Sequence, residues 1–236
     1  MPVQPLVVTT TTGNLATILG STLPFTSRGE EWDHPGISGV QIHAGGGVIA
    51  ATATNRYVLG HARKAASGEL PRGFFLLKND ATLVRETLSS VIEKRRASGD
   101  LVTITVTFDA DTPARIAIDF CTITIRLDAG TPIKQIEDLD SLLAMLPAPH
   151  DLALSDPCLV APYAIAPLTE AAEWSKMGGR NVPLRWSFAG PHKPARVEIE
   201  DWFVAAVMPI KGPTKEPSVP TSTPRAAAAL LPAGQA

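Results

Sequence analysis

The stretch Val182–Lys211, VPLRWSFAGPHKPARVEIEDWFVAAVMPIK, decides how the rest of the chain is read. Its apolar and polar residues alternate in two runs, Leu184–Trp186–Phe188 and Val197–Ile199. A period of two sends successive side chains to opposite faces, so each run predicts a half-buried antiparallel strand. Pro191 and Pro194 fall in the gap between them, where a turn needs no ladder donor. A third run, Trp202–Val207, is almost wholly apolar and runs into Met208-Pro209-Ile210-Lys211. The last ordered element is therefore expected to be a strand with an apolar Met-Pro-Ile lip.

Working outward, the rest of the chain repeats one pattern. Leu6–Thr12 predicts a strand, and Asn14–Leu23 predicts a helix with Leu15, Ile18, Leu19 and Thr22 at helical spacing. Thr12 or Asn14 is suited to cap it and Pro24 to stop it. Strands follow at Ile37–Ala44, at Val48–Thr54 after the Gly45-Gly46-Gly47 turn, and at Tyr57–Lys64. Residues 73–130 repeat the order. A strand at Gly73–Leu77 leads into a helix capped by Asn79 or Asp80 and running to Arg96, with Val84, Leu88, Val91 and Ile92 on its apolar face. Strands follow at Leu101–Phe108, Ala114–Phe120 and Thr122–Leu127. A third copy is read over Cys158–Lys211, with a strand at Leu159–Tyr163 and a helix at Pro167–Met177 that has proline in its first turn.

The fold class is thus α+β: repeated βαβββ units with helices on one side of antiparallel sheets. The expected divisions are residues 1–130 (two units), 131–211 (an amphipathic helix at Ile136–Leu146 plus the third unit) and 212–236. That last stretch holds five prolines and an alanine run, which predicts a disordered tail.

Composition sets outer limits. Among 236 residues, 44% are hydrophobic and 19% charged, which suits a soluble globular chain able to bury a core. No apolar run approaches the roughly 20 residues of a membrane span, and the N-terminus lacks a basic region ahead of an apolar one. Cys121 and Cys158 are too few for a disulfide framework, so both are expected to be reduced and buried, in a cytoplasmic protein. The net charge of −2 excludes a uniformly basic nucleic-acid binder, but not a ring basic only along its inner wall. The histidines (His34, His43, His61, His150 and His192) show no metal spacing, and no phosphate-loop or nucleophile-elbow motif is present. Trp32-Asp33-His34 reads as a loop entry. No cofactor, metal site or enzymatic activity is expected.

The terminal Phe-x-Gly-Pro-x-Lys-Pro and Val-Met-Pro-Ile-Lys segments, Phe188–Pro194 and Val207–Lys211, resemble the end of the bacterial sliding clamp, the β subunit of DNA polymerase III. Pro35–Val40 (PGISGV) and Ala50–Leu59 (AATATNRYVL) resemble the clamp's Arg-Pro-x-Leu-x-Gly-Val and Ala-Thr-Asp-Gly-x-Arg-Leu segments. The family's Asp-Gly pair is Asn55-Arg56 here, and its Arg is Val58. The resemblance covers most of residues 5–211 and implies the DNA clamp fold, helices toward DNA and sheets outward. A clamp chain carries six units and this chain about three, which suits a short phage, plasmid or accessory version.

The same resemblance implies a pocket for partner peptides at Thr54, Tyr57, Val58 and Leu59 together with Val207, Met208, Pro209 and Ile210. Strand-end core positions are the other reading of these residues. It also implies DNA-backbone contacts by Arg85, Lys94, Arg95 and Arg96 on the second helix and Lys176 and Arg180 after the third. The alternative there is that these cations only complement helix C-termini. Two functions follow. One is a non-enzymatic replication processivity factor, oligomeric, holding double-stranded DNA without sequence preference and binding a polymerase through short linear motifs. The other is a clamp-fold adaptor that does not encircle DNA.

Overall fold

The computed structural model describes residues 5–27, 37–96, 98–109, 112–129, 139–147, 160–175, 182–188, 190 and 193–210. The readings of Trp32-Asp33-His34, Cys158, Lys176, Arg180 and the 212–236 tail lie outside them.

The first unit is β1 (Leu6–Thr11), α1 (Thr12–Thr22), a 3-10 turn at Leu23–Phe25, β2 (Gly39–Gly45), β3 (Val48–Thr54) and β4 (Val58–Ala65). The second begins with a two-residue β5 (Ser67–Gly68) and β6 (Leu70–Leu77), then α2 (Lys78–Arg95), β7 (Leu101–Asp109), β8 (Thr112–Phe120) and β9 (Ile123–Asp128). The expected βαβββ order holds in both. The units exchange their first strands. β1 pairs antiparallel with β7 of the second unit, and β6 pairs with β2 of the first. One sheet therefore reads β5-β1-β7-β8-β9.

The local causes are legible. Gly46 and Gly47, at φ of 59° and 82°, make the two-residue turn that sets Gly45 opposite Val48. Thr11, not Thr12 or Asn14, caps α1, its hydroxyl accepting the Asn14 N–H at 3.1 Å. α2 starts from Leu77 without a side-chain cap, so Asn79 and Asp80 sit in its first turn instead. Asp80 still complements the helix dipole there.

The third unit corrects the reading most. Its helix, α4, spans Pro162–Glu173, so Pro162 and Tyr163 are helical rather than the end of a strand. Pro162 takes the first turn and Pro167 falls inside the helix. Either proline satisfies a helix start in sequence; the one whose neighbours pack decides. A short α3 (Leu139–Ala144) occupies part of the predicted Ile136–Leu146 helix. Then β10 (Arg185–Ser187), β11 (Ala195–Ile199) and β12 (Phe203–Val207) form the meander. β12 hydrogen-bonds to β4, giving a seven-stranded sheet ordered β10-β11-β12-β4-β3-β2-β6. The third unit is therefore continuous with the first through its backbone ladder.

One hydrophobic core draws on all three units: Leu15, Ile18 and Leu19 from α1, Val84 and Leu88 from α2, Leu168 and Ala171 from α4, and Val197 and Ala205 from the third meander. α1 carries no charged side chain, and Leu15 through Thr22 are all buried. It packs against α2 on one side and α4 on another. The opposite face of the larger sheet is not simply solvent-facing. Gln41, Thr52 and His61, adjacent across three strands, are 1%, 0% and 9% exposed, with Thr52 Oγ1 2.9 Å from His61 Nδ1.

Candidate peptide-docking surface

The surface grows from the start of β4. Asn55 Oδ1 accepts the N–H groups of Tyr57 at 3.1 Å and Val58 at 3.0 Å, an Asx-type turn that the motif's Asp would make with the same oxygen. Thr54 Oγ1 donates to the Val58 carbonyl at 2.9 Å and accepts the Arg56 N–H at 3.1 Å. Arg56 is held at φ 79°, the left-handed region natural to the glycine it replaces in the resembled motif. The turn lifts Tyr57 out of the sheet, leaving it 45% exposed.

Across the ladder, Val207 pairs with Val58 and Ala206 with Leu59. One residue on, the Met208 N–H donates to the Tyr57 carbonyl at 2.9 Å, so the pairing outlasts the strand and fixes the lip beside the turn. Met208 and Ile210 are 45% and 42% exposed. Leu59, Pro209 and Thr54 are half-buried.

The structure thus joins two segments about 150 residues apart, and it divides the eight predicted pocket residues. Tyr57, Met208 and Ile210 present exposed apolar area, and Leu59, Pro209 and Thr54 remain partly exposed. Val58 and Val207, 1% and 0% exposed, belong to the core and not to the surface. The reason is the strand period: residues opposite each other in a ladder share a face, and theirs is the inner one.

Sequence reasoning missed Tyr163. Its ring meets Tyr57 edge-on, with centroids 5.7 Å apart and planes at 70°. α4 brings it there, with Tyr163 itself 47% exposed. As the end of a predicted strand, the residue gives no sign of this contact in its register. Only the correct helix start, at Pro162, would have exposed it.

The basic positions fare differently. Arg85 is half-buried and paired with Glu86 at 3.0 Å. Arg96, at φ 53°, is the left-handed residue that ends α2, so it lies past the helical face that carries Arg85. Lys94 and Arg95 are exposed in the last turn. Arg95 also engages the Cys121 thiol, which donates to Asp100 Oδ2 at 3.3 Å. Cys121 is exposed, which corrects the expectation that it is buried. The hydrogen bond to the Asp100 carboxylate, with a smaller contribution from desolvation, pushes its thiol pKa up against the pull of Arg95. α4 bears Glu170 and Glu173 and no lysine or arginine.

Among the described residues, no group of three or more His, Cys, Asp or Glu is placed to hold a metal, and no helix is long and apolar enough to cross a membrane.

No family model and no curated protein sequence matches the chain. Solved structures do. The β sliding clamp of Caulobacter crescentus matches over 90% of this chain and 66% of its own, with a TM-score of 0.61 at 15% identity. The DNA polymerase III β subunit of Thermotoga maritima matches over 90% and 68%, at 0.60 and 12%. The sliding clamp of Bartonella birtlesii, solved with griselimycin bound, matches over 90% and 68%, at 0.61 and 13%. The chain spans about two thirds of the length of these clamps. Over about two thirds of their length, and at 12–15% identity, it carries the fold of the bacterial DNA polymerase III β sliding clamps.

Proposed function

We propose that this protein is a non-enzymatic, clamp-like replication factor of the cytoplasm. It receives a short apolar linear motif of a DNA polymerase or another replication protein on the surface of Tyr57, Tyr163, Leu59, Met208, Pro209 and Ile210. As an oligomer it tracks double-stranded DNA without reading sequence. The observation that carries the reading is the β4–β12 ladder, extended by the Met208–Tyr57 hydrogen bond, which holds the two halves of an exposed apolar surface in register. Adaptable methionine and two aromatic rings suit apolar anchors of varied shape. Lys94, Arg95 and Arg96 at one end of α2 supply phosphate contacts, which give salt-sensitive binding that permits sliding.

A second reading, an adaptor that does not encircle DNA, draws on the helices themselves. α1 is uncharged and buried, α4 presents Glu170 and Glu173, and Arg85 is tied to Glu86.

Two measurements test the pair. Griselimycin, seen bound to the Bartonella clamp, is titrated against the full chain and against Met208→Asp. Binding that the substitution abolishes supports the surface; no binding to the full chain overturns it. Retention on nicked circular plasmid, lost when the plasmid is linearised, supports encirclement. Equal behaviour on both forms, together with a monomeric mass by light scattering, selects the adaptor.

A further inference from the structure

The docking surface lies where the described chain ends. Ile210 is both its outer apolar residue and the last described one. Beyond it the sequence runs KGPTKEPSVPTSTPR, Lys211–Arg225, polar and broken by prolines. It is followed by the apolar run Ala226-Ala-Ala-Ala-Leu-Leu231.

We propose that Ala226–Leu231 docks in cis on the Tyr57–Tyr163–Met208–Ile210 surface and competes there with partner motifs. The inference rests on the peptide-docking reading above and adds its regulation: the protein carries its own competitor.

Three observations support this occupant. First, the tether begins on the surface itself, because the hydrogen bond from Met208 to Tyr57 fixes the exit of the chain beside the rings. Second, the spacer has a suitable length. Fifteen residues reach at most roughly 50 Å when fully extended, which lets the run return to a surface that begins at Ile210 and keeps it in that neighbourhood. At that tether length the effective concentration is of millimolar order, so even a weak segment occupies its site much of the time. Third, the chemistry matches. Within Lys211–Leu231 this run alone can offer contiguous apolar area, and the surface offers an aromatic pair and two aliphatic side chains that are each more than 40% exposed. Leu230 and Leu231 are the two large apolar side chains of the run, of the kind that fill an apolar groove.

The test keeps the full chain. Leu230→Asp/Leu231→Asp alters residues outside the described fold, and the Met208 ε-methyl signal is followed by 13C NMR with Met145, which is not part of the surface, as the reference. The double substitution is expected to move the Met208 signal, to leave Met145 in place, and to tighten griselimycin binding roughly tenfold as the cis competitor is lost. An unchanged Met208 signal and unchanged affinity would overturn the proposal. If griselimycin moves Met208 equally in both chains, the surface stands and the cis competitor falls. If griselimycin moves it in neither, the peptide-docking reading fails and takes the competitor with it. A Met208 difference that disappears on dilution would assign the run to a neighbouring copy and overturn docking in cis.

Discussion

Replacing Gly20 by alanine should loosen the packing that carries Tyr163. A Cβ on Gly20 would stand 1.9 Å from Cε2, 2.2 Å from Cζ2 and 2.3 Å from Cδ2 of Trp174, at the end of α4. Carbon atoms pack best at about 3.5–4.0 Å, so the indole must retreat by roughly 1.5–2 Å. The indole is bulky and half-buried against the core, so it cannot swing aside like the end of a flexible chain. Overpacking of this kind costs about 1–3 kcal/mol, and a displacement this large belongs at the upper end. Alanine inside a helix returns about 1 kcal/mol over glycine. The net expectation is a loss of about 2 kcal/mol, or about 4–8 °C in Tm for a chain of this size. The sign is the test, because at an open helical site the same change would stabilise. Thermal unfolding followed by circular dichroism reads it, with a double-mutant cycle to Trp174→Ala. Once the indole is gone, Gly20→Ala should become neutral or favourable. A Tm for Gly20→Ala at or above that of the parent would refute the close approach of α1 and α4. It would also remove the argument that α4 is held rigidly enough to present Tyr163.

Other substitutions separate core from surface. Val207→Ala should cost about 2 kcal/mol, since its side chain is fully buried. Met208→Ala should stay within about 0.5 kcal/mol of the parent yet weaken griselimycin at least tenfold, and equal unfolding midpoints for the two variants would contradict the division. Arg56→Gly should stabilise by about 0.5 kcal/mol: relief of a left-handed residue, about 1–2 kcal/mol, exceeds the added chain entropy of glycine, about 0.5–1 kcal/mol. A lower denaturation midpoint would count against the turn geometry. Cys121 should react with iodoacetamide at pH 8 more slowly than a free thiol despite its exposure, because the Asp100 carboxylate raises its pKa. Asp100→Ala should accelerate it several-fold, and an unchanged rate would dismiss that hydrogen bond. Lys94→Glu/Arg95→Glu/Arg96→Glu should flatten the salt dependence of DNA binding, each lost phosphate contact removing roughly 0.9 from the log–log slope; a slope equal to the parent's would take these cations out of the DNA interface.

Much of this was legible before any coordinate. Alternation at Val197–Ile199 and across β7 to β9 identified strands because a half-buried sheet allows one apolar face and one polar face. The Val84, Leu88 and Val91 stripe identified α2 for the same reason at a different period. Repetition of those patterns gave the βαβββ unit, and the terminal Met-Pro-Ile lip supplied half of the candidate surface.

What the chain could not declare locally was partnership. Alternation states which residues of a strand are buried, not which strand lies beside it, because every antiparallel neighbour offers the same backbone groups. Hence the exchange of β1 and β6 between units, and the pairing of β12 with β4, belong to the tertiary structure. That pairing turned Val58 and Val207 inward and left Tyr57 and Met208 outside, though all four stood together in sequence as equal candidates. Tyr163 reached the site by the same route: two prolines could each begin a helix, and the packing of Ala164, Leu168 and Ala171 into the shared core selected the earlier one. The sequence alone determined the elements and their repeat, since those follow from local period and turn chemistry. Which residues form the candidate surface was decided only by the fold, because it is made where residues distant in the chain compete for the same buried face.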